Sequence, residues 1–183
     1  MEYLDVVDEN GEPTGEIVSR KSAHRTGARH RTSHLWLVRK RDEKWQVLLQ
    51  LRSFQKDSHP GCLDTSSAGH IPAGYDYIES AIRELKEELG LTAKPEDLVF
   101  VARRHFEYEK EFHGKPFHDN QVSKVFYLLW DGEPSELVLQ ESEIADAMWM
   151  NLDECVIMVR DGSKPNCIDL EEILMIRDAL QNR

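Results

Sequence analysis

The chain has 183 residues, with 23 Lys and Arg against 34 Asp and Glu for a formal charge of −11; 31 % of residues are charged and 40 % hydrophobic. That length supports one domain with a full-sized core, and that balance excludes a disordered chain. The longest purely apolar run, Val125 to Trp130, is too short for a membrane span, and the net acidity argues against a stable nucleic-acid partner, which would need phosphate-neutralising charge.

The acidity is unevenly spread. Residues 20–57 hold eleven Lys and Arg against three Asp and Glu, a local excess of +8 that leaves −19 for the remainder. The first residues, Met-Glu-Tyr-Leu-Asp, are acidic where a signal peptide is basic and then apolar. Cys62, Cys155 and Cys167 are an odd number without metal-ligand spacing, which predicts free thiols and a cytoplasmic protein.

No linker, repeat or low-complexity tract interrupts the chain, so residues 1–183 are read as one domain. Asn10-Gly11 between short apolar runs predicts an N-terminal β-hairpin. Ser33–Lys40 and Trp45–Arg52 form a second predicted strand pair, in which Trp45, Val47, Leu49 and Leu51 alternate as a half-buried strand requires. Residues 54–74, rich in Ser, Gly, Pro and His, read as loop with short strands. Tyr77–Leu89 is the clearest helix: Ile78, Ala81, Ile82, Leu85 and Leu89 make one apolar stripe, Asp76 and Glu79 have capping-box spacing, and Gly90 supplies the stop. Long strands follow at Val99–Phe112 and Phe117–Trp130, then a strand near Met148 and helices near Leu152–Arg160 and Leu170–Leu180. The order predicts a mixed sheet flanked by helices.

On the central helix, Glu84, Glu87 and Glu88 share the side opposite Leu85 and Leu89. Three such carboxylates repel one another unless solvated or neutralised, and their oxygens suit Mg²⁺ or Mn²⁺. The string from Gly69 through Tyr75 to Arg83-Glu-Leu-Lys-Glu-Glu-Leu-Gly-Leu91 resembles the box of the Nudix (MutT-like) hydrolases, residues 69–91, and departs from its pattern at Tyr75, where the family has a glutamate. The resemblance implies an α/β protein, an α/β/α sandwich with a central mixed sheet, that cleaves a diphosphate linkage with a divalent cation. It implies that Glu84, Glu87, Glu88 and the carbonyl of Ala68 hold the metal, that Arg83 orients the glutamates, and that Glu84 is a further ligand or the base. Glu143, in the loop ahead of Met148, is a second candidate base. Arg52 and Lys56 are candidate clamps for a diphosphate, Arg suiting bidentate contact and Lys a point charge.

A second resemblance lies in His24, His30, Leu35-Trp36-Leu37, Gly69-His70 and Asp119-Asn120-Gln121-Val122, which look like the metal-binding segments of type I isopentenyl-diphosphate isomerase, a Nudix-fold enzyme. It implies a second metal site on His24, His30, His70 and Asp119. Ala68 and Gln121 replace that enzyme's proton-transferring Cys and Glu, and neither side chain exchanges a proton usefully. The expectation is therefore a hydrolase of a small-molecule diphosphate, nucleotide or prenyl. An isomerase and a Nudix-fold ligand-binding protein without turnover are the alternatives, and a homodimer follows from habits of the family. Trp36, Phe54, Phe106, Tyr108 and Trp149 are candidate stacking partners for a base.

Overall fold

The computed structural model describes residues 2–182. The N-terminal hairpin pairs β1 (Tyr3–Val7) with β2 (Pro13–Ser19), and its loop is organised by Asp8, whose carboxylate accepts from the N–H of Asn10 at 2.8 Å and of Glu12 at 2.9 Å. Gly11 has a φ of +81° and lies where a Cβ would fall 2.7 Å from the Tyr77 hydroxyl, so the turn needs glycine twice over. A short helix, α1 (Arg20–Thr26), follows. Its signals are Ser19, which caps it through Ser22 N–H, and Gly27, which ends it in the left-handed region. Seven residues without an apolar stripe give periodicity nothing to detect, and the sequence reading passes over it.

The main sheet has seven strands. Its path runs β5 (Leu63–Asp64), β4 (Lys44–Arg52), β3 (His30–Arg41), β8 (Lys115–Leu129), β7 (Val99–Phe112); β6 (Ser67–His70) pairs with β3, and β9 (Ile144–Asn151) with β4. Among the strands of the described residues only the β3–β8 pair runs parallel, so the sheet is mixed as predicted. β3 starts at His30, three residues before its predicted start, because the parallel ladder with β8 reaches back to the pair His30 and Gln121.

Alternation along the strands divides the core. Leu35, Leu37, Leu48 and Phe126 face α2 (Tyr77–Leu89), which buries Ala81, Leu85 and Leu89 against them. Trp36, Val38, Val47, Leu49 and Val125 face α3 (Leu152–Asp161) and α4 (Leu170–Gln181), which supply Cys155, Ile173 and Ile176. The result is helix on sheet on helix. Asp76 caps α2 by accepting from Tyr77 N–H at 2.7 Å, one residue on, in place of the capping box its spacing with Glu79 predicts. No helix among the described residues is long and apolar enough to cross a membrane.

Candidate active site

The carboxylate helix is clamped to β6. In the β3–β6 ladder Ala68 lies opposite His34 and Gly69 opposite Ser33. Glu84 folds over Gly69 so closely that a Cβ at position 69 would meet its carboxyl carbon at 2.6 Å. Glu88 is buried and accepts from Ser67 Oγ at 2.8 Å, while Glu87 points outward. Arg83 bonds Glu84 at 3.0 Å and lies 3.9 Å from Glu87. Burial pushes the Glu88 carboxyl up to about 8, with the hydrogen bond from Ser67 opposing and the charge of Glu84 adding to the rise. Burial likewise raises Glu84, against its contact with Arg83. Two hard-oxygen donors are thus held together at a cost in their ionised form, and one guanidinium is shared between Glu84 and Glu87. That donor set fits a divalent cation.

Tyr75 leaves the box loop without its usual glutamate, and β1 holds the loop. Asp5 accepts from Arg31 at 2.8 Å and from Gly74 N–H at 2.9 Å, while Arg31 also donates to the Tyr75 carbonyl at 3.0 Å. The Tyr75 ring lies under the Arg83 guanidinium, 5.6 Å from its centre. Tyr75→Ala is therefore expected to change kcat/KM by less than about fivefold, since a half-exposed cation–π contact contributes little. Asp5→Ala leaves buried Arg31 without its ion pair, and its thermal midpoint should fall by about 6 °C or more. The reverse order of effects in thermal melts and initial rates would refute this account of the loop.

On the other face of the sheet a cavity of about 420 Å³ starts at Ala68, Gly69 and His70. At its near end the ligating atoms of His24, His30 and His70 all lie within 4.8 Å of one another. Asp119 Oδ1 is 3.4 Å from His30 Nε2 and 3.8 Å from His24 Nε2. His30 turns its Nδ1 to the Ala28 carbonyl at 2.9 Å, which leaves Nε2 to the cluster, and both Nε2 and Asp119 Oδ1 are buried without a hydrogen-bond partner. Burial drives His24 down to about 4 and His70 well below the usual imidazole range, so both are neutral with lone pairs available. Gln121 is fixed beside them, donating to Asp119 at 3.1 Å and accepting from Thr32 at 2.5 Å. Three nitrogens and a carboxylate oxygen around orphaned atoms fit a transition-metal ion.

Arg52 and Lys56 also line the cavity. The Arg52 guanidinium donates to Asp64 at 2.9 Å and to the carbonyls of Ser58 and His59 at 3.0 and 3.2 Å, so it fastens the loop while its charge borders the cavity. Lys56 is ion-paired with Glu143, whose carbonyl accepts from Ser53 N–H at 2.8 Å. That pair stands near Glu88, whose carboxyl feels Lys56 as an opposite charge and Glu143 as a like one. Of the aromatic candidates, Phe106 and Tyr108 line the cavity and Trp36 borders it from the core. Trp149 stacks on Trp130 and under Arg39, and Phe54 is exposed.

Sequence reasoning missed a buried network on the cavity floor. Glu172 on α4 accepts from His34 Nδ1 at 2.8 Å, Trp36 Nε1 at 2.9 Å and Arg104 at 2.9 Å, and Arg104 donates on to Asp169 at 2.7 Å. Burial would raise the Glu172 carboxyl, but the charge and hydrogen bond of His34, with Arg104 and Trp36, hold it down at about 2; Glu172 in turn raises His34 against the effect of its burial.

A carboxylate-bearing loop and helix, clamped to a mixed sheet between helical layers, define a Nudix-type α/β protein. The chain belongs to that family: the NUDIX domain matches residues 28–167. An uncharacterized Nudix hydrolase of Clostridium acetobutylicum is 35 % identical over 153 residues, covering 84 % of this chain and 71 % of that protein. Nudix hydrolase 3 of Arabidopsis thaliana is 39 % identical over 159 residues, 84 % of this chain, which spans only 20 % of that longer protein. The crystal structure of DR0079 from Deinococcus radiodurans superposes with a TM-score of 0.69 at 20 % identity, over 96 % of this chain and 98 % of that one, and so shares the fold.

Proposed function

We propose that this protein hydrolyses the diphosphate linkage of a small molecule, a nucleoside diphosphate joined to a further group or a related organic diphosphate, with Mg²⁺ or Mn²⁺. The observation that carries the reading is the pairing of half-buried Glu84, folded over Gly69, with buried Glu88, both carboxyls raised. Glu84, Glu87, Glu88 and the Ala68 carbonyl would hold the cation. When bound it neutralises the diphosphate and acidifies the attacking water.

The chain's own residues supply the rest. Arg83 fixes the rotamer of Glu84. Lys56 is placed to exchange Glu143 for a phosphate oxygen, which frees a Glu143 carboxylate oxygen to accept the proton from the attacking water. Arg52, bonded into the loop, adds positive field where the diphosphate would lie. His24, His30, His70 and Asp119 form the second metal site of this proposal. Isomerase chemistry is not favoured, because Ala68 and Gln121 stand where proton-transferring groups are needed and Gln121 is bonded to Thr32 and Asp119.

The test incubates the protein with sugar nucleotides, dinucleoside polyphosphates and prenyl diphosphates, with and without Mg²⁺ or Mn²⁺, and resolves the monophosphate products by anion exchange. Turnover that depends on the cation is expected. Absence of product from every substrate at every cation concentration would overturn the hydrolytic reading. Pulsed EPR of bound Mn²⁺ distinguishes the two sites: nitrogen couplings that vanish in His70→Ala belong to the histidine site, and their absence in wild type would refute it.

A further inference from the structure

We propose that His34 is a specificity residue that touches substrate: held by Glu172, it turns its Nε2 to a polar group of the moiety attached to the diphosphate and hydrogen-bonds it. This rests on the hydrolytic reading and adds to it what the far end of the substrate must be.

Position comes first. The β3–β6 ladder sets His34 opposite Ala68 and Thr32 opposite His70, and cross-strand partners project to the same face. His34 therefore stands one rung from the box glycine of β6, on the cavity side. Arg52 and Lys56 line the same cavity, so a diphosphate held between them would lay its attached group along the floor, where His34 is found.

Orientation comes second. Nδ1 lies 2.8 and 3.0 Å from the two oxygens of Glu172, and those oxygens are also bonded by Trp36 and Arg104. The ring cannot flip without giving up these contacts, so Nε2 stays directed toward the cavity. Among the described residues its one neighbour within hydrogen-bonding range is Thr32 Oγ1 at 3.5 Å, at the limit for such a bond, and that hydroxyl makes its short contacts elsewhere, donating to Gln121 at 2.5 Å and bonding Ser123 at 2.7 Å. The result is a rigidly held ring nitrogen with no short hydrogen bond to the protein, on the wall of a cavity.

Chemistry comes third. A buried ion network is a poor way to stabilise a core that apolar side chains would fill as well, so its geometric precision calls for another use. A hydrocarbon group lying on this floor would expel water and leave Nε2 unpaired, whereas a hydroxyl, which can both donate and accept, would satisfy it. Sites built to bond a polar group reject analogues lacking it far more strongly than apolar pockets reject small changes in size.

The experiment compares wild type, His34→Gln and His34→Leu on a sugar nucleotide and on geranyl diphosphate, with thermal melts to confirm folding. Wild type should favour the sugar nucleotide by at least about a hundredfold in kcat/KM. His34→Leu should raise KM for it about tenfold with kcat within about twofold, and His34→Gln, which keeps a polar amide near the same point, should recover most of the loss. An unchanged KM in His34→Leu, a loss in kcat alone, or preference for geranyl diphosphate would overturn the proposal while leaving the hydrolytic reading intact. If wild type turns over neither compound, calorimetric titration decides. Sugar-nucleotide binding weakened in His34→Leu supports the contact although hydrolysis fails, and equal binding, or none, refutes it.

Discussion

Glu88→Gln is expected to lower kcat/KM at least about a hundredfold and, in metal-free buffer at neutral pH, to raise the thermal midpoint. Loss of one hard-oxygen ligand from a three-carboxylate set removes the charge that would fix the cation, and the amide offers one neutral oxygen in its place. The gain in stability follows from the direction of the Glu88 shift. Its carboxyl rises from an ordinary 4.5 to about 8 on folding, chiefly through burial. Below pH 4.5 both folded and unfolded states hold the proton and nothing is lost. Between 4.5 and about 8 the unfolded chain ionises while the folded one resists, so folding loses free energy as pH rises. Glutamine can still accept from Ser67 and carries no such penalty. Melting wild type and Glu88→Gln from pH 4 to 8 should show the variant's advantage growing with pH. Millimolar Mg²⁺ should then raise the wild-type midpoint and leave the variant nearly unmoved. A variant less stable than wild type at pH 7.5 without metal, or one of equal activity, would refute the assignment of Glu88.

The box helix was legible because its chemistry and its fold share one local period. Ile78, Ala81, Leu85 and Leu89 mark the buried stripe, and the same 100° spacing collects Glu84, Glu87 and Glu88 on its flank. The histidine cluster was legible only through a family resemblance. His24 and His70 are 46 positions apart, and what joins them to Asp119 is strand order: β8 pairs with β3 at His30 and Gln121, and β6 pairs with β3 at Thr32 and His70. Arg52 was read as a candidate clamp for a diphosphate, and its bonds into a loop, to Asp64 and the Ser58 carbonyl, follow a path no periodicity encodes. Glu172 was least visible. It stands three residues after the cap Asp169, where acids are common for local reasons, and nothing nearby shows that it reaches His34 across 138 positions.

Glu172→Leu should be the most destabilising single change in the cavity floor, by about 3–5 kcal/mol, because it removes one partner from a buried charge network and leaves His34, Arg104 and the Trp36 N–H facing an apolar side chain. Its pH dependence separates this cause from simple misfit. Glu172 is depressed on folding from 4.5 to about 2, so its contribution is complete above pH 4.5 and is lost as pH falls through about 2. His34 is raised above 6.5, so its contribution is complete below 6.5 and is lost as pH climbs through the folded value. The stability gap between wild type and Glu172→Gln, which keeps the shape and removes the charge, should therefore be widest between pH 4.5 and 6.5. It should narrow toward pH 2 on one side and in alkali on the other. A cavity or a clash would give a gap independent of pH. Urea melts at pH 3, 5.5 and 9 distinguish the two, and a flat difference would mean that the network is held by packing and that His34 has no fixed direction to offer a substrate.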